Sequence, residues 1–246
     1  MSIKIIVNNK PDEIPIKFNC DDKLSKKLEQ YPMIDEHINK PNTTLFIGKM
    51  GSGKTSLLCQ FTFNIMRKCF NHIYVFMPKT SMNSLDTNKF LTLPKDQIYE
   101  ELTEESITDV YNKVQENAKE KKYSLVIFDD VQMALKNPFI LKSLKNMIAN
   151  QRHLKLVNFI ILQNYISLDK SLRAICNNIF LFKLNKTQNQ QIFDELIESF
   201  KDKFVEIMKM VYNEPFKWIF INITSQRLYS MYDEIIIKDN EDSNEK

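Results

Sequence analysis

Short apolar runs recur along the chain, and between them lie longer stretches where apolar residues return every three or four positions. The first pattern predicts buried strands and the second predicts amphipathic helices. Five runs read as core strands: TLFIG (44–48), HIYVFM (72–77), YSLVIFDD (123–130), KLVNFIILQN (155–164) and NIFLFKL (178–184). Lys54–Phe70 reads as one helix carrying Leu57, Phe61 and Met66 on one face, with Cys59 and Cys69 both on it. Thr103 caps a second helix, with Glu104 and Glu105 in its first turn and Ile107, Val110, Tyr111 and Val114 along its apolar face. Asn137-Pro138 opens a third, Pro138–Asn150, and Thr187–Tyr212 reads as a polar helical stretch. Residues 79–102 read as loop.

Two short β-rich runs, IKIIV (3–7) and IPIKF (14–18), flank a turn cluster near the N-terminus, and KWIFINI and RLYSMY (217–232) read as a terminal hairpin. Strands alternating with helices imply an α/β fold, a mainly parallel five-stranded central sheet flanked by helices, with extra terminal strands. One domain over residues 1–238 is the simplest organisation: a core of about 43–184, N-terminal strands within 1–42 and a helical and hairpin extension over 185–238. The last eight residues, DNEDSNEK, read as a disordered acidic tail.

Composition narrows the class. Of 246 residues, 43% are hydrophobic and 26% charged, ordinary for a soluble globular protein. No run approaches the length of a membrane helix, and charges interrupt the apolar part of the N-terminus, so neither a membrane span nor a signal peptide is expected. The four cysteines are scattered without metal-ligand or disulfide-scaffold spacing and read as free thiols. Net charge is only +3, which permits a nucleic-acid partner without demanding one.

The chain has three glycines, and all lie in one loop, as Gly48, Gly51 and Gly53. The stretch Gly48-Lys49-Met50-Gly51-Ser52-Gly53-Lys54-Thr55 matches the phosphate-binding pattern GxxxxGK[ST], with a strand before it and a helix after it. Such a loop must turn its N–H groups inward around a phosphate, which requires unusual backbone angles and no obstructing side chains. The following helix offers its positive end to the anion. The loop and first helical turn, Gly48 to Thr55 and then Ser56, form the nucleotide-contacting set. Lys54 is placed to reach the terminal phosphates, and Thr55 to hold Mg²⁺ through its hydroxyl.

In LVIFDDVQ, Asp129 closes an apolar strand, where ligands bind in open α/β sheets. It is a candidate to position Mg²⁺, and Asp130 to orient or deprotonate the attacking water. Many ATPases have Glu at that second position, and Asp is one methylene shorter. Gln163, at the end of the strand FIILQ, is a candidate to sense the terminal phosphate.

In order, FIGKMGSGKT, LVIFDDVQ and NQRHLKLVNFIILQNYISLDKSLRAICNNIFLFK resemble the genome-packaging ATPases of large DNA viruses and virophages, within the FtsK–HerA group of P-loop NTPases. The likeness runs from about Thr43 to Lys183, and its specific part is the block from Gln151 to Lys183. It implies an ASCE, RecA-like core that uses ATP and Mg²⁺. It also implies a catalytic set of Lys54, Asp130, Gln163 and an arginine acting on a neighbouring subunit's nucleotide, for which Arg152 matches the position and Arg173 is the second candidate. The implied assembly is a homo-oligomeric ring of five or six subunits around double-stranded DNA, working at a viral capsid or portal vertex. The implied location is the host cytoplasm, in a viral factory or with the virion. Lys136, Lys142 and Lys145 could face the pore.

Other readings stay open. A small-molecule kinase shares the loop and sheet, but Arg67, Arg152, Arg173 and Arg227 are widely spaced and form no lid cluster. A hexameric helicase shares the motor chemistry. A non-hydrolysing scaffold would bind nucleotide without turnover.

Overall fold

The central strands assemble around their apolar runs: Thr43–Ile47, Ser124–Asp129, Leu156–Leu162 and Asn178–Phe182 are buried at every residue, and His72–Phe76 at its last three. The structure is a computed structural model that describes residues 23–82 and 89–236. The N-terminal runs 3–7 and 14–18 and the acidic tail lie outside the described residues.

In chain order the elements are α1 (Pro32–His37), β1 (Thr43–Ile47), α2 (Lys54–Gln60), β2 (His72–Phe76), α3 (Lys79–Met82), β3 (Ile98–Tyr99), α4 (Glu104–Lys119), β4 (Ser124–Asp129), α5 (Pro138–Ala149), β5 (Leu156–Leu162), α6 (Lys170–Arg173), β6 (Asn178–Phe182), α7 (Lys186–Leu196), α8 (Phe204–Val211), β7 (Trp218–Asn222), β8 (Arg227–Ser230) and β9 (Asp233–Glu234). They form one sheet in the order β3-β2-β4-β5-β1-β6-β7-β8-β9. The first six strands in that order are parallel, and β7, β8 and β9 add on antiparallel.

Alternate residues feed two cores. On one face Leu45, Val126, Phe128, Ile160 and Leu181 pack with Val110, Leu144, Ile192 and Ile207 of α4, α5, α7 and α8. On the other, Phe46, Ile127, Phe159, Phe180 and Phe220 pack with Ile34 and Leu58 of α1 and α2. This second core is aromatic: Phe46 stacks on Phe180 at 4.7 Å, and Phe61 meets the same ring edge-on at 5.0 Å.

Two helix starts follow from their caps. Thr103 and Ser106 form a reciprocal capping box for α4, and Asn137 accepts from Phe139 N at 2.8 Å to cap α5, with Pro138 in its first turn.

Several expectations are corrected. The helix after the glycine loop does not reach Phe70. It widens into a π turn over Phe61–Ile65, and Lys68 then takes a left-handed backbone (φ 69°), which places Cys69 beyond the helix. The stretch 79–102 contains α3 and the edge strand β3 as well as loop. The stretch Thr187–Tyr212 is two helices, separated by Ile197, whose non-helical backbone (φ −139°, ψ 79°) stops α7, and by a 3-10 turn over Glu198–Lys203. The terminal hairpin extends the central sheet through β6–β7 pairing, so the sheet is wider than five strands.

At the lower ends of the central strands a buried polar network replaces apolar packing. Thr43 Oγ1 donates to Gln151 Oε1 (2.7 Å), Gln151 Nε2 to Asn177 Oδ1 (2.9 Å), and Asn222 Nδ2 to Asn178 Oδ1 (2.8 Å). These bonds link the residues after α5 to the starts of β1 and β6, and the start of β6 to the end of β7, at the end of the sheet away from the glycine loop.

Candidate nucleotide site

The glycine loop lies at the carboxyl end of β1 and bounds a cleft of about 510 Å³. Its lining includes Met50 through Ser56, Asp129, Asp130, Gln132 and Gln163. The three glycines serve different needs. Gly51 (φ 74°) and Gly53 (φ 95°) take left-handed angles. Gly48 needs closeness instead: a Cβ there would lie 2.6 Å from Phe182 Cβ and 2.6 Å from Ser52 Oγ.

Lys54 opens α2 and is 8% exposed. Its Nζ donates to the carbonyls of Gly48 (2.6 Å) and Lys49 (2.7 Å), so the loop wraps its own lysine. Burial lowers the Lys54 pKa, opposed by the charges of Asp129 and Asp130. The first N–H groups of α2 have no intrahelical partners, and this end of the helix lines the cleft. Thr55 and Ser56 line the same cleft, Met50 is a highly exposed loop tip, and Lys49 contributes its carbonyl.

Asp129 is 6% exposed. Burial and the adjacent Asp130 charge push its carboxyl up to about 6, while Lys54 and the Asp130 N–H pull it back. Asp130 leaves the strand in a left-handed conformation (φ 54°), which turns it out into the cleft's exposed side. A cluster of three or more His, Cys, Asp or Glu able to hold a metal is absent among the described residues. A lone buried carboxylate beside a threonine fits Mg²⁺, which binds through one or two carboxylates with phosphates and water, better than a metal held wholly by side chains.

The strand order refines the expected arrangement. The strand bearing Asp129 is not next to β1; β5 lies between them, and Gly48 N donates to Leu162 O at 3.1 Å. Gln163 is therefore the polar side chain immediately beside the loop. The cleft thus gathers Lys54, Thr55, Asp129, Asp130 and Gln163. It does not gather Arg152, which precedes β5 while Gln163 follows it. The two are separated by the full strand, about 23 Å at the usual rise. Arg152 is exposed at the lower rim, beside the polar network. Arg173 is committed internally: it is 8% exposed, pairs with Glu195 at 2.8 Å and lies over the Tyr165 ring at 4.5 Å. Lys145 pairs with Asp169 (3.0 Å), while Lys136 and Lys142 are exposed.

Five lining residues were not foreseen: Thr80 and Ser81 of α3, Gln132, Ile161 and Phe216. Gln132 ends the quoted motif LVIFDDVQ. Its Nε2 is buried with no partner among the described residues, so it is a donor held ready at the cleft wall.

A family model describing an ATPase domain predominantly from Archaea matches residues 33–220, about three quarters of the chain. The chain belongs to that ATPase-domain family. Its fold is shared with the genome packaging NTPase B204 of Sulfolobus turreted icosahedral virus 2. The AMPPCP complex of B204 matches at TM-score 0.60 and 11% identity, covering 80% of this chain and 98% of B204. The AMP complex matches at TM-score 0.59 and 13% identity, covering 78% and 97%. The DNA-packaging ATPase B204 from Sulfolobus Turreted Icosahedral Virus gives TM-score 0.59 and 13% identity over 78% and 97%. No curated protein matches the chain. No helix among the described residues of the ATPase domain is long and apolar enough to cross a membrane.

Proposed function

We propose that the chain is a Mg²⁺-dependent ATPase that translocates double-stranded DNA and packages a viral genome into a preformed capsid, as a homo-oligomeric ring. The observation that carries the ATPase part is the convergence in one cleft of a buried Lys54 within a glycine loop and a buried Asp129 carboxylate across from it. The packaging part is supported by the shared fold with a genome packaging NTPase and by the resemblance of the block Gln151–Lys183.

In this reading the N–H groups of the loop and of the first turn of α2 bind the phosphate chain, and Lys54 neutralises charge on the transferred group. Thr55 and Asp129 would hold Mg²⁺, which when bound neutralises phosphate charge. Asp130 accepts a proton from the attacking water, and Gln163 orients that water from the neighbouring strand end. Arg152 lies too far to serve its own cleft, so its role requires a second subunit presenting that rim. Contacts to DNA go to phosphates, because a translocating motor cannot depend on sequence. Phe216, from the extension 185–238, lines the cleft, which supports one ATPase unit rather than a core with an appendage.

The test is ATP hydrolysis by the purified chain with and without long double-stranded DNA, with Lys54→Ala as blank. Turnover lost in Lys54→Ala and stimulated by duplex is the expected result. Turnover unchanged in Lys54→Ala would overturn the site. Turnover indifferent to DNA, in a preparation shown by sizing to be assembled, would overturn the DNA motor and leave the ATPase.

A further inference from the structure

The nucleotide reading above assigns no ligand contact to the one aromatic that, among the described residues, lines the cleft. Phe216 lies in the turn between α8 and β7, 69% exposed, and lines the cleft beside Gly53. A Cβ on Gly53 would stand 3.3 Å from Phe216 Cδ1, so the glycine forms the floor under this ring.

The sheet order gives the cleft a direction. Asp129, Asp130, Gln132 and Gln163 follow β4 and β5, on one side of β1. Phe216 immediately precedes β7, on the other side, beyond β6. A triphosphate cradled with its terminal group toward the acids and glutamines extends its sugar and base the opposite way. Among the residues lining the cleft, the aromatic at that end is Phe216.

The backbone that carries the ring is also constrained. Pro215 fixes the preceding φ, and Phe216 then takes a left-handed backbone (φ 61°), a position usually given to glycine or asparagine. Lys217 pairs with Glu214 at 3.4 Å across the turn. Trp218, next in sequence, is 2% exposed and packs edge-on against Phe180 at 5.0 Å. Among the described residues, seven non-glycine positions have positive φ, and of these Asp130 and Phe216 line this cleft. A bulky aromatic in a costly conformation, exposed and without a packing role, marks a functional position.

We propose that Phe216 is the base platform of the cleft: the nucleobase stacks on its ring, while the glycine loop holds the phosphates. Recognition through a π face is tolerant of base identity. ATP and GTP should therefore both depend on Phe216. The inference rests on the nucleotide reading.

The experiment measures binding of MgATP, MgGTP and Mg-tripolyphosphate, which has no base, to the full chain and its variants. Phe216→Ala should weaken both nucleotides about 5- to 100-fold. It should leave tripolyphosphate unchanged and raise KM for ATP with kcat retained, and Phe216→Trp should restore affinity. Phe216→Asn, which keeps the left-handed turn, should lose nucleotide affinity while melting no lower than wild type. Equal weakening of tripolyphosphate would overturn the platform, since the ring would then be propping the loop. ATP affinity unchanged in Phe216→Ala would overturn it as well. A wild-type chain that binds tripolyphosphate as tightly as ATP keeps the phosphate site and overturns the platform. A wild-type chain that binds neither overturns both.

Discussion

At Asp129, burial and the charge of Asp130 both oppose ionisation, and the carboxyl is held up to about 6. Its folded pKa therefore lies above the unfolded value of 3.8, so protonation favours the fold. The penalty is absent below about pH 4 and complete above about pH 6, where it reaches on the order of 2–3 kcal/mol. Asp129→Asn should raise the melting temperature of the metal-free chain at pH 7.5 and abolish the further rise produced by Mg²⁺ with nucleotide. Differential scanning calorimetry with and without MgATP reads both effects. Because a metal needs the ionised carboxylate, wild-type Mg²⁺ affinity should fall up to about tenfold per pH unit below 6. A flat profile between pH 7 and 5 would remove Asp129 from the metal. The residues of this site were legible to the extent that they were local. The glycine loop and the paired acids are contiguous patterns. Gln132 stood inside a recognised motif, and only the burial of its unpartnered Nε2 singled it out. Phe216 lies more than 160 positions from the loop it faces, and no periodicity reports such a meeting.

Elements were legible where their ends carry conventional signals. The α4 and α5 starts follow from Thr103 and Asn137, which accept hydrogen bonds from exposed helix N–H groups. Helix stops were obscured because this chain places lysine where others place glycine. Lys68 lies in the turn that follows the helix after the loop, and Lys121 directly follows the cap of α4, both with left-handed backbones (φ 69° and 61°). Behind Lys121 the bonds Lys121 N to Ala118 O (3.0 Å) and Lys122 N to Asn117 O (2.9 Å) form the double closure that usually accompanies glycine. Lys121→Gly should stabilise the chain by about 0.5–1 kcal/mol, the relief of the Cβ clash exceeding the added freedom of the unfolded state. Urea unfolding checks it, and a lowered midpoint would mean that the lysine side chain packs usefully. Strand β3 escaped notice for another reason: two residues carry no pattern, and their extended form comes from pairing with β2.

For the whole molecule, the alternation of strands and helices was enough to expect a parallel sheet, but not its order. Placing β5 between β1 and β4 is a long-range choice that no local pattern encodes, as is the attachment of β7 to β6. Subunit contacts belong to this scale too. If Arg152 acts on a neighbour, Arg152→Ala and Lys54→Ala proteins, each inactive alone, should recover part of the ATPase activity when mixed. Recovery arises at interfaces where an intact loop meets an intact arginine. The absence of recovery in co-assembled mixtures would remove Arg152 from that role, and the burial of Arg173 makes it a poor replacement.

Strand β5 is buried at all seven residues and is paired with β1 on one edge and β4 on the other. It cannot bend, slip or shorten without breaking two hydrogen-bond ladders, so mechanically it is a stiff rod. One end of the rod is Gln163 in the cleft, and the other is the rim that carries Arg152. If Gln163 senses the terminal phosphate as proposed, a push delivered there would be carried along β5 to the far rim. Where that rim bears on a second subunit in the proposed ring, the event at one end and its report at the other would be a single movement.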